Sequence, residues 1–187
     1  MSTLEVNKIT PSTGTSITLG DSGDTFTIPS GVTLTNNGTD SGFGGVNTPS
    51  FRAYQGSTQS VSTDTLTTLQ LNTENYDTDG CYDTGTYRFT PTVSGKYFLY
   101  ACQRFTATGN YDVGIDMEIR KNGSSIARFS GINYYTDSRF VSTVETLNGS
   151  TDFVEVTVYQ SSGISLTLDN GQSDTFFGGY KIIEWAY

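Results

Sequence analysis

Acidic clusters are the first places where this 187-residue chain could carry chemistry. Asp77, Asp79 and Asp83 fall in one stretch, Asp77-Thr78-Asp79-Gly80-Cys81-Tyr82-Asp83, and carboxylates gathered in a turn are how oxygen ligands are presented to calcium. Their spacing is not that of an EF-hand. The two readings are therefore a structural calcium site and an Asp-rich hairpin whose side chains bond their own backbone. Asp112 and Asp116 flank Val113 and could share one face of a strand, as a pair of carboxylates for glycan cleavage would; the competing reading is a solvated strand edge. Tyr111, Tyr134 and Tyr135 offer rings that stack on sugars at a receptor surface, or that simply pack.

Much other chemistry is excluded. The chain has no histidine, which removes Ser-His-Asp and Cys-His catalysis and the commonest zinc ligand. Cys81 and Cys102 lack the paired C-x-x-C spacing of a zinc site. Two thiols in so long a chain are not a disulfide scaffold, and either reduced buried thiols or a bridge closing a hairpin-sized loop fits them. No Walker or dinucleotide motif follows a strand and opens a helix, so the 21 glycines read as turn and strand-end residues. A net charge of -9 repels phosphate, and the ten Lys and Arg are scattered, so no nucleic-acid footprint exists. No apolar run approaches the ~18 residues of a membrane span, and Met-Ser-Thr-Leu-Glu-Val-Asn has neither the basic start nor the apolar stretch of a secretory signal. The expectation is a non-enzymatic protein, made in a cytoplasm, with no catalytic residue, no membrane insertion and no cofactor beyond the calcium alternative.

The elements that must position these residues are strands. Aromatics reach 13% and the polar remainder is rich in Thr, Ser, Gly and Asn, while sustained helical spacing is absent, so the chain is expected to be all-β. Residues 1–45 carry short apolar pairs spaced by two: Leu4 and Val6, Ile17 and Leu19, Phe26 and Ile28, Val32 and Leu34. Turn chemistry separates them, at Pro11 to Gly14, Gly20 to Gly23 and Pro29 to Gly31. Strands of about four residues cannot build a core alone. This segment is therefore expected to be an extended β stem, intertwined with other copies of the chain, against the alternative of a flexible Ser/Thr/Gly-rich tail. A polar, glycine-rich linker over 36–45 leads to a second domain, 46–187, where the strands lengthen.

In that domain Phe51 to Tyr54 opens the first strand, and Leu66, Leu69, Leu71, Tyr87 and Phe89 follow. Tyr97, Leu99 and Ala101 alternate with Phe98, Tyr100 and Cys102, so one face fills a sandwich and the other needs cover. Val113, Ile115, Met117 and Ile119 run at period two into Asn122-Gly123, the strongest short hairpin signal in the chain. Asn148-Gly149 and Asn170-Gly171 mark two further turns between strands. Many strands with regular turns mean a sandwich.

From about residue 49 onward the motifs, in order, resemble the globular head of complement component one, subcomponent q (C1q), within the tumour-necrosis-factor-like (TNF-like) jelly-roll superfamily. The resemblance is carried by Phe51-Arg52-Ala53-Tyr54, Gly80-Cys81-Tyr82-Asp83, Thr84-Gly85-Thr86-Tyr87-Arg88-Phe89, Pro91-Thr92-Val93-Ser94-Gly95-Lys96-Tyr97-Phe98, Lys121-Asn122-Gly123 and Asp174-Thr175-Phe176-Phe177-Gly178-Gly179-Tyr180. It implies a jelly-roll β-sandwich head, a homotrimer, ligands taken on the outer surface, and calcium held near the trimer apex in some members. There is no collagen-type Gly-X-Y stalk, so the stalk must be built differently.

Residues 1–45 look like the N-terminal segments of phage structural proteins, especially those of marine and cyanobacterial phages, in Met1 to Ile9, Ile17 to Thr25 and Ile28 to Asn36. Together the two resemblances imply a trimeric virion appendage on the particle exterior, a fibre or knob. Its residues 1–45 would contact other virion proteins and its heads a host-surface glycan or protein. The alternative is a capsid decoration or cement protein that stabilises the shell, and a third reading is a glycan-degrading spike.

Overall fold

The computed structural model describes residues 9–33, 35, 47–106, 113–133 and 138–183. The chain divides into two units, Met1–Phe43 and Gly44–Tyr187. In the first, the described residues form no strand within one chain. They turn at Asp21, where Asp24 N donates to Asp21 O (3.0 Å) and Asp21 N to the Asp24 carboxylate (2.8 Å), and again at Pro29, where Val32 N donates to Pro29 O (3.2 Å). Ile17, Leu19, Phe26 and Ile28 are all exposed. Of the pairs spaced by two, Ile17 with Leu19 and Phe26 with Ile28 thus find no ladder in a single copy, as their shortness requires, while Leu4, Val6, Leu34 and the linker over 36–45 lie outside the described residues.

The second unit is all-β, and no helix occurs among the described residues. Its strands are β1 (Ser50–Tyr54), β2 (Gln59–Val61), β3 (Thr67–Thr68), β4 (Thr73–Asp77), β5 (Tyr82–Asp83), β6 (Arg88–Phe89) and β7 (Gly95–Arg104). They continue as β8 (Val113–Lys121), β9 (Ser124–Asn133), β10 (Ser138–Leu147), β11 (Val154–Gln160), β12 (Leu166–Leu168) and β13 (Phe176–Lys181). One sheet runs β10-β7-β13-β1-β4 and the other β5-β6-β11-β8-β9 with β3 beside β11, while β2 and β12 make a separate ribbon. Every pairing is antiparallel. Neighbours far apart in sequence, such as Phe51 opposite Gly179, give the crossed connections of a jelly roll.

The core lies between the sheets. Phe51, Ala53, Tyr97, Leu99, Ala101 and Phe177 enter from one side and Ile115, Met117, Ile119, Val154, Val156 and Val158 from the other, all essentially without exposed surface. Each large apolar side chain buried this way stabilises the fold by about 1.5–3 kcal/mol. Phe51 is the centre of an aromatic cluster, stacked on Phe89 (centroids 4.3 Å apart) and Tyr82 (5.1 Å) and edge-on to Phe177 (4.9 Å).

The Asn-Gly turns divide by sheet. Asn122 and Gly123 take φ of 50° and 79° between paired Lys121 and Ser124, the two-residue hairpin that the sequence predicts. Asn148-Gly149 instead carries the chain from one sheet to the other, and Asn170-Gly171 carries it from the β2–β12 ribbon to the five-stranded sheet. At the first of these the Asn148 side-chain oxygen accepts from Ser150 N (2.9 Å), Thr151 N (3.0 Å) and Asp152 N (3.0 Å). Gly149 has φ of 71°, and a β-carbon there would fall 2.2 Å from Ser94 N, so only glycine fits.

Two core phenols link the fold to pH. Tyr82 Oη donates to Leu71 O (3.0 Å) and Tyr97 Oη to Val93 O (2.6 Å), bonds that need the protonated form. Burial, chiefly, pushes Tyr97 up to about 12 and Tyr82 higher still, with Cys81 and Asp79 acting on Tyr97 and Glu74 on Tyr82. A raised acid is neutral in the folded state where the unfolded chain already ionises. The stability it contributes is full below about pH 10, the ordinary tyrosine value, and is lost as pH rises through the folded values. In a spectrophotometric titration these two of the 12 tyrosines should ionise only as the head unfolds. Reversible ionisation of all 12 tyrosines near pH 10 in the folded protein would contradict this.

Candidate functional site

The outward faces of the two sheets differ sharply. On the β8–β9–β11 sheet the outward residues form a charged ladder: Arg88 meets Glu155 (3.0 Å), Arg120 meets Glu118, and Arg128 meets both Asp116 and Glu118. Tyr159 Oη donates to Asp64 (2.6 Å) and Ser130 to Asp116. Glu118 and Glu155 are buried beneath their arginine partners while Arg128 is half exposed, so this face is finished by partly covered ion pairs whose guanidinium groups meet water.

The other sheet is finished with rings. Alternation sends Phe98 and Tyr100 of β7 outward, and the register sets Tyr180 and Val144 on either side of Phe98, and Gly178 and Ser142 on either side of Tyr100. One step further, Phe176 and Phe140 flank Cys102. Phe98 stacks on Tyr100 (5.9 Å) and tilts against Tyr180 (5.5 Å), and Tyr100 meets the edge of Phe176 (6.2 Å). Tyr100 lies across Gly178, where a β-carbon would come within 2.5 Å of the ring. On β1, Arg52 places its guanidinium 4.3 Å from the Phe176 centroid and donates to Gln172 O (2.7 Å). Tyr76 of β4 stands opposite Arg52. Burial first, and Tyr76 beside it, raise the Tyr100 phenol above the usual tyrosine range.

In one copy of the chain this face is open: Phe140 is 55% exposed, Val144 51%, Tyr76 45% and Tyr180 37%. One end is braced by Arg104, which pairs with Asp174 (2.7 Å) and Asp169 (3.2 Å). Contiguous apolar surface of this kind, lying against a rigid sheet, is what subunit contacts use. Sequence alternation marks Phe98 and Tyr100 as needing cover. It does not mark Phe140, Val144, Tyr76 or Arg52, because only the strand order brings β10, β4 and β1 beside them.

The acidic residues singled out by sequence are spent locally. Asp77 accepts from Asp79 N (3.3 Å) and Tyr82 N (2.7 Å), and Asp79 from the Thr78 hydroxyl (2.7 Å). Asp83 accepts from Gly85 N (2.8 Å) and the Thr86 hydroxyl (2.8 Å), bonds that hold its carboxyl below the usual carboxylate range. Among the described residues no three such groups are gathered as a metal site. Asp116 is held by Arg128 and Ser130. Its supposed companion Asp112, and Tyr111, Tyr134 and Tyr135, lie outside the described residues. Cys81 and Cys102 are both buried and unbridged. The Cys102 thiol, on the aromatic face, is pushed up by burial first and by Asp174.

No protein-family model matches the chain, and no curated protein sequence matches it. Solved structures do. The globular domain of a zebrafish complement 1qA protein superposes with a TM-score of 0.51 at 18% identity, covering 72% of this chain and 97% of that one. Murine APRIL at pH 8.0 gives a TM-score of 0.53 at 16% identity, covering 71% and 98%. The fold is therefore the C1q/TNF-like jelly roll.

Proposed function

We propose that the chain is a subunit of a homotrimeric virion appendage, in which three jelly-roll heads pack through the aromatic face of β10-β7-β13-β1-β4 and residues 1–45 join the assembly to the particle. The contrast between the two sheets carries the trimer. One outward face is a network of ion pairs, the other a layer of rings that a single copy leaves exposed. The jelly-roll fold supports a three-fold arrangement, and the exposed apolar pairs of residues 9–33 support a stem that acquires its ladders from neighbouring copies.

The particle setting rests on the likeness of residues 1–45 to phage structural segments. Its mechanism is multivalent adhesion: three weak sites on one assembly reach useful avidity without any one being tight. The heads act by binding, not by catalysis.

Labelled chain imaged on intact particles tests this reading. Label at the tail is the expected result, whereas label spread over the shell selects a capsid cement protein, and particles without label contradict a virion role. A companion variant lacking residues 1–45 should lose attachment to the particle while its heads remain folded. Unchanged attachment would remove the stem from the proposal.

A further inference from the structure

Gln55, Gln59, Gln103 and Gln160 are buried in the head, and they divide into two kinds. Gln59 and Gln160 are matched to backbone. Gln59 donates to Thr68 O (2.8 Å) and accepts from Gln70 N (2.9 Å); Gln160 donates to Val61 O (3.0 Å) and Ile164 O (2.7 Å) and accepts from Ser162 N (2.7 Å). Gln55 and Gln103 are 0% exposed, yet neither the amide nitrogen nor the amide oxygen of either meets a hydrogen-bonding group among the described residues. A buried amide without partners is strongly disfavoured, and the domain shows elsewhere that it satisfies its glutamines.

The two stand in one place. Gln55 lies one residue beyond β1, where its N–H donates to Thr175 O (3.0 Å), and Gln103 lies one residue beyond the Cys102–Phe176 pairing of β7 with β13. Alternation puts Gln55, Thr175 and Gln103 on the core side, in the row next to Ala53, Phe177 and Ala101. With neighbouring strands ~4.8 Å apart, the two glutamine backbones are roughly 10 Å apart across the short side chain of Thr175. Thr175 is itself engaged, its hydroxyl donating to Asp169 O (2.7 Å). The two glutamines therefore share one core-side row, separated by the small Thr175 and next to Ala53 and Ala101.

We propose that Gln55 and Gln103 enclose an internal hydration site, in which ordered water bridges the two side chains at the loop end of the sandwich. Water supplies both donors and acceptors to a pair of groups that carry both. An ion is disfavoured, because neutral amides do not compensate a buried charge. The nearest cation on the row, Arg139 opposite Gln103, is directed to Ile132 O (2.7 Å) and over the Phe129 ring. Globular proteins hold about one buried water per 27 residues, so a domain of this size ordinarily contains several. The bridge would tie β1, β13 and β7 together just below the Arg104 ion pairs, independently of how the heads assemble.

Magnetic relaxation dispersion of water, measured on the full chain, counts long-lived internal waters. The unmodified protein should show at least one more than a Gln55→Leu/Gln103→Leu double variant. In denaturant melts the single Gln103→Leu variant, which leaves Gln55 alone, should be less stable than the double. Should the double variant fail to fold, a high-resolution crystal structure of the unmodified chain decides the matter. Water density within hydrogen-bonding distance of both amides is the expected result. A direct Gln55–Gln103 amide pair without water, or equal water counts in wild type and double variant, would overturn the proposal.

Discussion

Phe140→Asp combined with Val144→Asp should convert the assembled protein into folded heads that associate at least a hundredfold more weakly. Both residues lie on the edge strand β10, project onto the aromatic face, and are about half exposed in one copy, so a lone head loses little when they change. In the proposed trimer they are covered. Covering the exposed half of two such side chains contributes about 1.5–3 kcal/mol, and each ~1.4 kcal/mol is tenfold in affinity. Burying two carboxylates without partners weakens the contact further. Sedimentation of the double variant should find a single-chain species whose far-ultraviolet spectrum matches that of the parent. Ser125→Asp, at an exposed site on β9 of the charged sheet, should leave the assembly intact. Equal dissociation by both variants, or by neither, would take the contact away from the aromatic face.

The largest loss of stability is expected from Phe51→Ala. The ring touches Phe89, Tyr82 and Phe177 at centroid distances of 4.3, 5.1 and 4.9 Å, joining β1 to both β6 and β13. Truncating a core phenylalanine costs about 3–5 kcal/mol, in part because the surrounding rings cannot collapse fully into the space. Set against the 5–15 kcal/mol of an ordinary domain, that is a large share. The urea midpoint should fall by on the order of 2 M. Val93→Ala, at an exposed position whose backbone oxygen still accepts from Tyr97, should move it by less than ~0.5 kcal/mol. A Phe51→Ala shift as small as that of Val93→Ala would mean that the aromatic cluster does not anchor the head.

Local features of this fold are legible in the sequence because their causes are local. Asn122-Gly123 closes a hairpin on the strength of two backbone angles, and the period-two run of β8 needs only its own residues to show which side is apolar. Gly149 sits in a turn whose chemistry is equally local, but whether that turn closes a hairpin or crosses between sheets depends on the partner of β10. That partner is β7, more than thirty residues away in sequence at every rung of the ladder. The same limit applies to the candidate site. The parity of Phe98 and Tyr100 is written in β7, whereas Phe140, Tyr180 and Arg52 join them only through the order β10-β7-β13-β1-β4. The acidic stretch from Asp77 to Asp83 shows the opposite difficulty: the residue types suit an ion, and only the fold shows that Asp77 and Asp83 accept from backbone amides of their own turns. Buried Gln55 and Gln103 have no sequence signature at all, since glutamine is ordinarily a surface residue.

In the proposed assembly three chains share the aromatic face. Light scattering of the purified, unmodified full chain, followed down a dilution series through the micromolar range, measures it most directly. The expected result is the mass of three chains, persisting until dilution separates them. The mass of one chain across the whole series, with the aromatic face left open to water, would contradict it.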